Sequence, residues 1–130
     1  MAQENVEVVK RVEALLHASD IDGALACFDR EVEWRAFAPE PGASTSGQGI
    51  DSLRAHWVPL PEDTPDEYLL GVLVLMTEVG EYVDRGAYVV CVGKDVPDAD
   101  VYEFTDGKII RATFGHPSKA HALKAVGLAE

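Results

Sequence analysis

Between Val6 and Leu16 the apolar residues Val6, Val9, Val12, Leu15 and Leu16 recur at helical spacing, with Glu7, Lys10, Arg11 and Glu13 between them. One stripe faces a core and the other face meets water, so the pattern predicts an amphipathic helix. Asp20 stands as the N-cap of a short second helix over Ile21 to Phe28. From Glu31 to Phe37 the period falls to two, with Val32, Trp34 and Ala36 on one side and Glu33, Arg35 and Phe37 on the other, as in a half-buried strand. Ala38 to Gly49 is rich in Pro, Gly and Ser and reads as a loop. A third helix starts at Ile50 with Ile50, Leu53 and Trp57 inward, and Pro59 ends it.

The second half is β-rich. Tyr68 to Val83 is a long apolar run in which Gly80 suggests a bulge. Asp84-Arg85-Gly86 turns it into the strand Ala87 to Gly93, and a loop follows over Lys94 to Asp100. Val101 to Thr105 and Lys108 to Gly115 flank Asp106-Gly107, the strongest hairpin signal in the chain. Ser118 caps a last helix that runs through Val126, and Gly127 closes it. Helices followed by an antiparallel meander define an α+β domain, with the helices packed on one face of a curved sheet. The 130 residues fit one domain, 1–130.

Charge narrows the partners. Twenty-three Asp and Glu against eleven Lys and Arg give a net charge of −12, which repels nucleic acid and anionic membrane surfaces. No apolar run reaches the roughly 18 residues of a membrane span, and the first residues carry no basic leader region. Cys27 and Cys91 form no CxxC pair and sit in apolar contexts, as buried free thiols would in a reducing cytoplasm. These features predict a soluble cytoplasmic protein.

The order of segments resembles the SnoaL-like branch of the nuclear transport factor 2-like superfamily. The resemblance runs through "FDREVEW" (Phe28 to Trp34), "GQGIDSLRAHW" (Gly47 to Trp57), "EYVDRGAYVV" (Glu81 to Val90), "FTDGKIIRA" (Phe104 to Ala112) and "HALKAVGL" (His121 to Leu128). It implies a cystatin-like cone, an α+β barrel in which helices pack on a strongly curved, mostly antiparallel sheet around an internal pocket. It also implies a homodimer pairing through the outer face of the sheet. That superfamily includes polyketide cyclases, ketosteroid isomerase, limonene epoxide hydrolase and members with no known reaction, so the fold alone assigns no chemistry. Two acid positions used by the cyclases and isomerases are empty here. Ala36 or Ala38 stands where the first strand ends, and Thr113, Phe114 or Gly115 stands in the last strand, with His116 in place of the Asp that commonly follows.

With those acids missing, His116 is the best titratable candidate. Alternation carries the inward face from Tyr102 and Phe104 to Ile110, Ala112, Phe114 and on to His116, near the mouth of the cone. An imidazole there suits proton transfer near neutrality, with Thr113 assisting. The alternative role is a turn residue before the last helix. Trp34, His56, Trp57, Tyr68, Tyr88, Tyr102 and Phe114 are the expected ligand-binding residues, since aromatic walls with a few polar tips suit a small apolar organic molecule. His17 and His121 read as structural, Glu103 and Arg111 as an outward cross-strand ion pair, and apolar Val89 and Cys91 as outward residues available to a dimer. No ligand spacing points to a metal, and no nucleotide-binding or redox motif points to a cofactor. Two functions follow: a small-molecule-binding protein without turnover, or a cofactor-independent isomerase, cyclase or hydratase-like enzyme using His116. A scaffold acting through dimerisation alone is a third.

Overall fold

The computed structural model describes residues 2–18, 20–37, 44–57, 79–94 and 98–127. Three helices come early: α1 (Ala2–His17), α2 (Ile21–Leu25) and α3 (Ile50–Trp57). The strands are β1 (Phe28–Phe37), β2 (Ser44–Gln48), β3 (Val79–Arg85), β4 (Tyr88–Gly93), β5 (Ala99–Thr105) and β6 (Lys108–His116), and α4 (Lys119–Ala125) follows β6. They form one six-stranded sheet in the order β2-β1-β6-β5-β4-β3, packed against helices and not closed into a barrel. All neighbours are antiparallel except β1 and β6.

Local chemistry explains most boundaries. Asp20 accepts the Gly23 N–H at 2.9 Å, capping α2. That helix is shorter than its periodicity suggests, because Phe28 is taken by β1, where its side chain joins the sheet core. Ser118 Oγ accepts the His121 N–H at 3.1 Å and caps α4. Asp106 and Gly107, at φ 52° and 80°, make the tight turn between β5 and β6. The register slips between Val79 and Glu81, so the bulge expected at Gly80 is present.

One strand escaped the sequence pattern. Ser44–Gln48, within the segment expected to be a loop, pairs with β1, with Gly47 opposite Trp34. A Cβ on Gly47 would lie 2.8 Å from Trp34 Nε1 and would also strike Ser52 Oγ, so only glycine lets this edge approach the indole.

The two faces of the sheet bury different partners. Helices α1, α2 and α3 place Val9, Val12, Leu25 and Leu53 against Trp34, Val89, Tyr102, Ile109 and Phe114 on what we term the inner face. On the outer face Ala122 and Leu123 of α4 cover Val83, Val90, Ala99 and Val101. The helices therefore lie on both faces, with α4 crossing to the side opposite the other three. Val89 and Cys91 point inward, against expectation, and Tyr88, Val90 and Val92 take the outer positions of β4. Ile109, and not Ile110, is the inward residue of β6, since the register slips between Glu103 and Phe104.

Candidate functional site

Two clusters of titratable groups lie back to back across β5 and β6. On the inner face the residues that alternate along β5 are Asp100, Tyr102 and Phe104. Tyr102 is buried between the rings of Phe28 and Phe114, with centroids 6.4 and 6.0 Å away in edge-to-face geometry. Asp100 pairs with Cys91 of β4 and accepts the Gly115 N–H at 2.8 Å. Burial pushes the Asp100 carboxyl up from its usual 3.8 to about 7; the Gly115 hydrogen bond pulls the other way, and the charges of Glu13 and Asp98 add to the rise.

Glu13 enters this cluster from α1. Tyr82 of β3 donates a hydrogen bond to Glu13 Oε2, and burial followed by that bond raises the Tyr82 phenol well above its ordinary range. Burial also holds the Cys91 thiol well up, so it is protonated at neutral pH and inert as a nucleophile. Trp34 Nε1 donates to Ser52 Oγ at 3.0 Å, satisfying the one polar atom of the indole.

The outer face holds His116. The side chain is completely buried, yet it does not share the face of Ala112 and Phe114 as alternation predicts. Gly115, at φ 79°, turns the strand, and the register passes from Val101 opposite Thr113 to Ala99 opposite His116. This bulge reverses the parity and puts His116 beside Thr113, whose Oγ1 lies 2.7 Å from His116 Nε2. His116 Nδ1 lies 2.9 Å from His121 Nδ1 on α4. One proton serves that contact, one nitrogen donating and the other accepting. Burial, and then the nearby His121, lower the His116 pKa from 6.5 to about 4, so the ring is neutral at pH 7.

His116 and Thr113 also line a cavity of about 680 Å³ between the sheet and α4, along with Tyr88, Arg35 and Arg111. Arg111 bridges Glu33 at 3.0 Å and Glu103 at 2.7 Å, so the cross-strand pair read from the sequence is present and gains a third member. Trp34, Tyr102 and Phe114 thus share the inner core, while Trp34 also borders the cavity that brings Tyr88, Thr113 and His116 together. Tyr68 and the side chains of His56 and Trp57 lie outside the described residues.

Asp100 is the group that the sequence pattern missed. Its parity with Tyr102 and Phe104 was available, but the polar run "KDVPDAD" reads as a loop, and the strand begins two residues earlier than its apolar part. Among the described residues no cluster of three or more His, Cys, Asp or Glu has the arrangement of a metal site.

Comparisons place the fold. No family model matches the chain, and no curated protein matches its sequence. Solved structures do match. An NTF2-like protein of unknown function from Burkholderia pseudomallei is 17% identical, with TM-score 0.63, over 95% of this chain and 98% of its own. TerC, co-crystallised with polyporic acid, is 19% identical with TM-score 0.60, over 85% of this chain and 88% of its own. A cystatin-fold protein from Novosphingobium aromaticivorans is 17% identical with TM-score 0.58, over 85% and 96%. The chain has the NTF2-like, cystatin-like α+β fold. No helix among the described residues is long and apolar enough to cross a membrane.

Proposed function

We propose that this protein binds a small organic molecule against the inner face of its sheet and that Asp100 moves a proton there without a cofactor. The observation that carries the reading is the Asp100 carboxyl, turned inward beside Tyr102 and Cys91 and pushed up to about 7. A carboxyl with that pKa is part acid and part base at neutral pH, so it both takes a proton and returns it in one catalytic cycle. Trp34, Tyr102 and Phe114 form the aromatic core beside it, and a fold neighbour co-crystallised with polyporic acid supports an organic ligand in this architecture. The segment resemblance supports the SnoaL-like branch and a homodimer.

His116 takes a structural part in this reading. It faces away from the aromatic wall and is caged by Thr113 and His121. Binding without turnover remains the competing function of the inner face, and one experiment separates the two. Solvent deuterium incorporation into a panel of cyclic ketones and enones, followed by NMR, is expected to proceed with the native chain and to fall at least ~100-fold in Asp100→Asn. Incorporation should rise with pH through about 7 as the carboxylate forms. Binding of panel members with no incorporation above the Asp100→Asn level overturns the proton-transfer role and leaves a binding protein.

A further inference from the structure

The bulge in β6 touches both clusters. Its Gly115 N–H reaches through to Asp100 on the inner face, and the next residue, His116, is gripped on the outer face by Thr113 of the same strand and His121 of α4. Gly115 sits at φ 79°, and the slip from Thr113 to His116 leaves it without a partner in the β5–β6 register. What fixes the direction of its N–H is then the anchoring of the residues around it.

We infer that His116 and His121 are positioning residues for Asp100: from the far side of the sheet they lock the bulge whose N–H holds the carboxyl. The last helix is in this sense part of the inner site, though it never reaches it. The inference rests on Asp100 being the working group, as proposed above.

The surroundings make the coupling readable. Asp100 faces Glu13 of α1, Cys91 of β4, Tyr102 of its own strand and Asp98 just before it. Glu13 and Asp98 disfavour its charged form, while Cys91 and Tyr102 stand uncharged beside it. The Gly115 N–H is the one hydrogen-bond donor it meets among the described residues, and it favours the carboxylate. On the outer side His116 meets His121 and Thr113, while α4 is also tied to β3 by Lys119 and Glu81, 3.3 Å apart and largely solvated. Loosening the His pair frees Gly115, weakens its bond to Asp100 and moves the Asp100 titration upward.

The test is a carbon-13 NMR titration of the Asp100 carboxyl carbon, assigned by its loss in Asp100→Asn. His121 is exposed, so His121→Ala removes the outer grip with little loss of packing. It should raise the Asp100 midpoint by about half a pH unit or more, with the Gly115 amide titrating at the new midpoint. His121→Asn keeps a polar atom near the Nδ1 position and should restore the native value. Thr113→Val, which removes the hydroxyl beside His116 Nε2, should move Asp100 in the same direction and stands in if His121→Ala does not unfold cooperatively. An Asp100 midpoint unchanged in His121→Ala and Thr113→Val overturns the inference, as does an equal shift in His121→Asn and His121→Ala. No substrate enters this measurement, so absent deuterium incorporation counts against the proton-transfer role alone.

Discussion

The two faces of the sheet solve the same problem, an ionisable group in a dry place, by opposite means. On the inner face Asp100 keeps its proton up to about pH 7; on the outer face His116 is neutral because it has shed one. Burial drives both, since it disfavours whichever form carries charge. An acid and a base buried in one small domain therefore shift toward each other's ordinary range, and their effects on stability run in opposite directions across the same pH interval.

The sharpest way to break this contrast is through packing. Trp34 is 5% exposed and bonded to Ser52, so Trp34→Ala opens a cavity and strands a hydroxyl. We expect a loss of about 4 kcal/mol in urea denaturation, with the outer-face His pair intact by NMR. Loss of less than about 1 kcal/mol would mean the inner wall is not the folding core.

The pH dependence comes next. His116 titrates at 6.5 when unfolded and at about 4 when folded, so its contribution is fully present above 6.5 and drains away as pH falls through that interval. His116→Asn, compared with the native chain, should gain about 3 kcal/mol in relative stability between pH 6.5 and 4. Asp100 has the reverse sign. Its folded pKa is raised from 3.8 to about 7, so its contribution is present below 3.8 and lost as pH rises. Asp100→Asn should gain relative stability from pH 4 to 7, by about 2 kcal/mol, since the residue is only half-buried and water screens part of the shift. Parallel curves for the two variants would dissolve the distinction between the faces.

How much of this was legible beforehand divides along physical lines. Periodicity located α1, the caps at Asp20 and Ser118, the Asp106-Gly107 turn, the Gly80 bulge and the inward side of β1, because each depends on neighbours in sequence. Ser44–Gln48 was hidden because it is a strand by virtue of its pairing with β1, with no apolar alternation of its own. Alternation alone puts His116 on the inner face because parity holds only until a bulge, and Gly115 is one. Asp100 is hidden in the sequence because its polar neighbours make a strand start look like a loop. The fold was therefore clearer than the site, whose residues depend on register.

Smaller effects refine the comparison. Gly47→Ala drives a methyl toward the Trp34 indole and Ser52, and should cost about 2 kcal/mol while leaving Tyr88 and Thr113 resonances in place. Arg111→Ala removes two ion pairs, but the guanidinium is 52% exposed. Its effect should be below about 0.5 kcal/mol and should vanish in high salt, measured by the same denaturation assay.

The parallel pairing of β1 with β6 governs how the chain must fold. Trp34 lies beside Ala112 and Arg35 beside Thr113, so the ends of the molecule meet in the middle of the sheet. The β5–β6 and β3–β4 hairpins close through tight turns and form early, on the microsecond scale of isolated hairpins. β1 and its partner β2 must then arrive across most of the chain length, a long loop whose closure entropy is lost before any contact repays it. Docking of β1 onto β6 is thus the expected rate-limiting step, and until it happens β6 presents an unpaired edge along which a second chain can add.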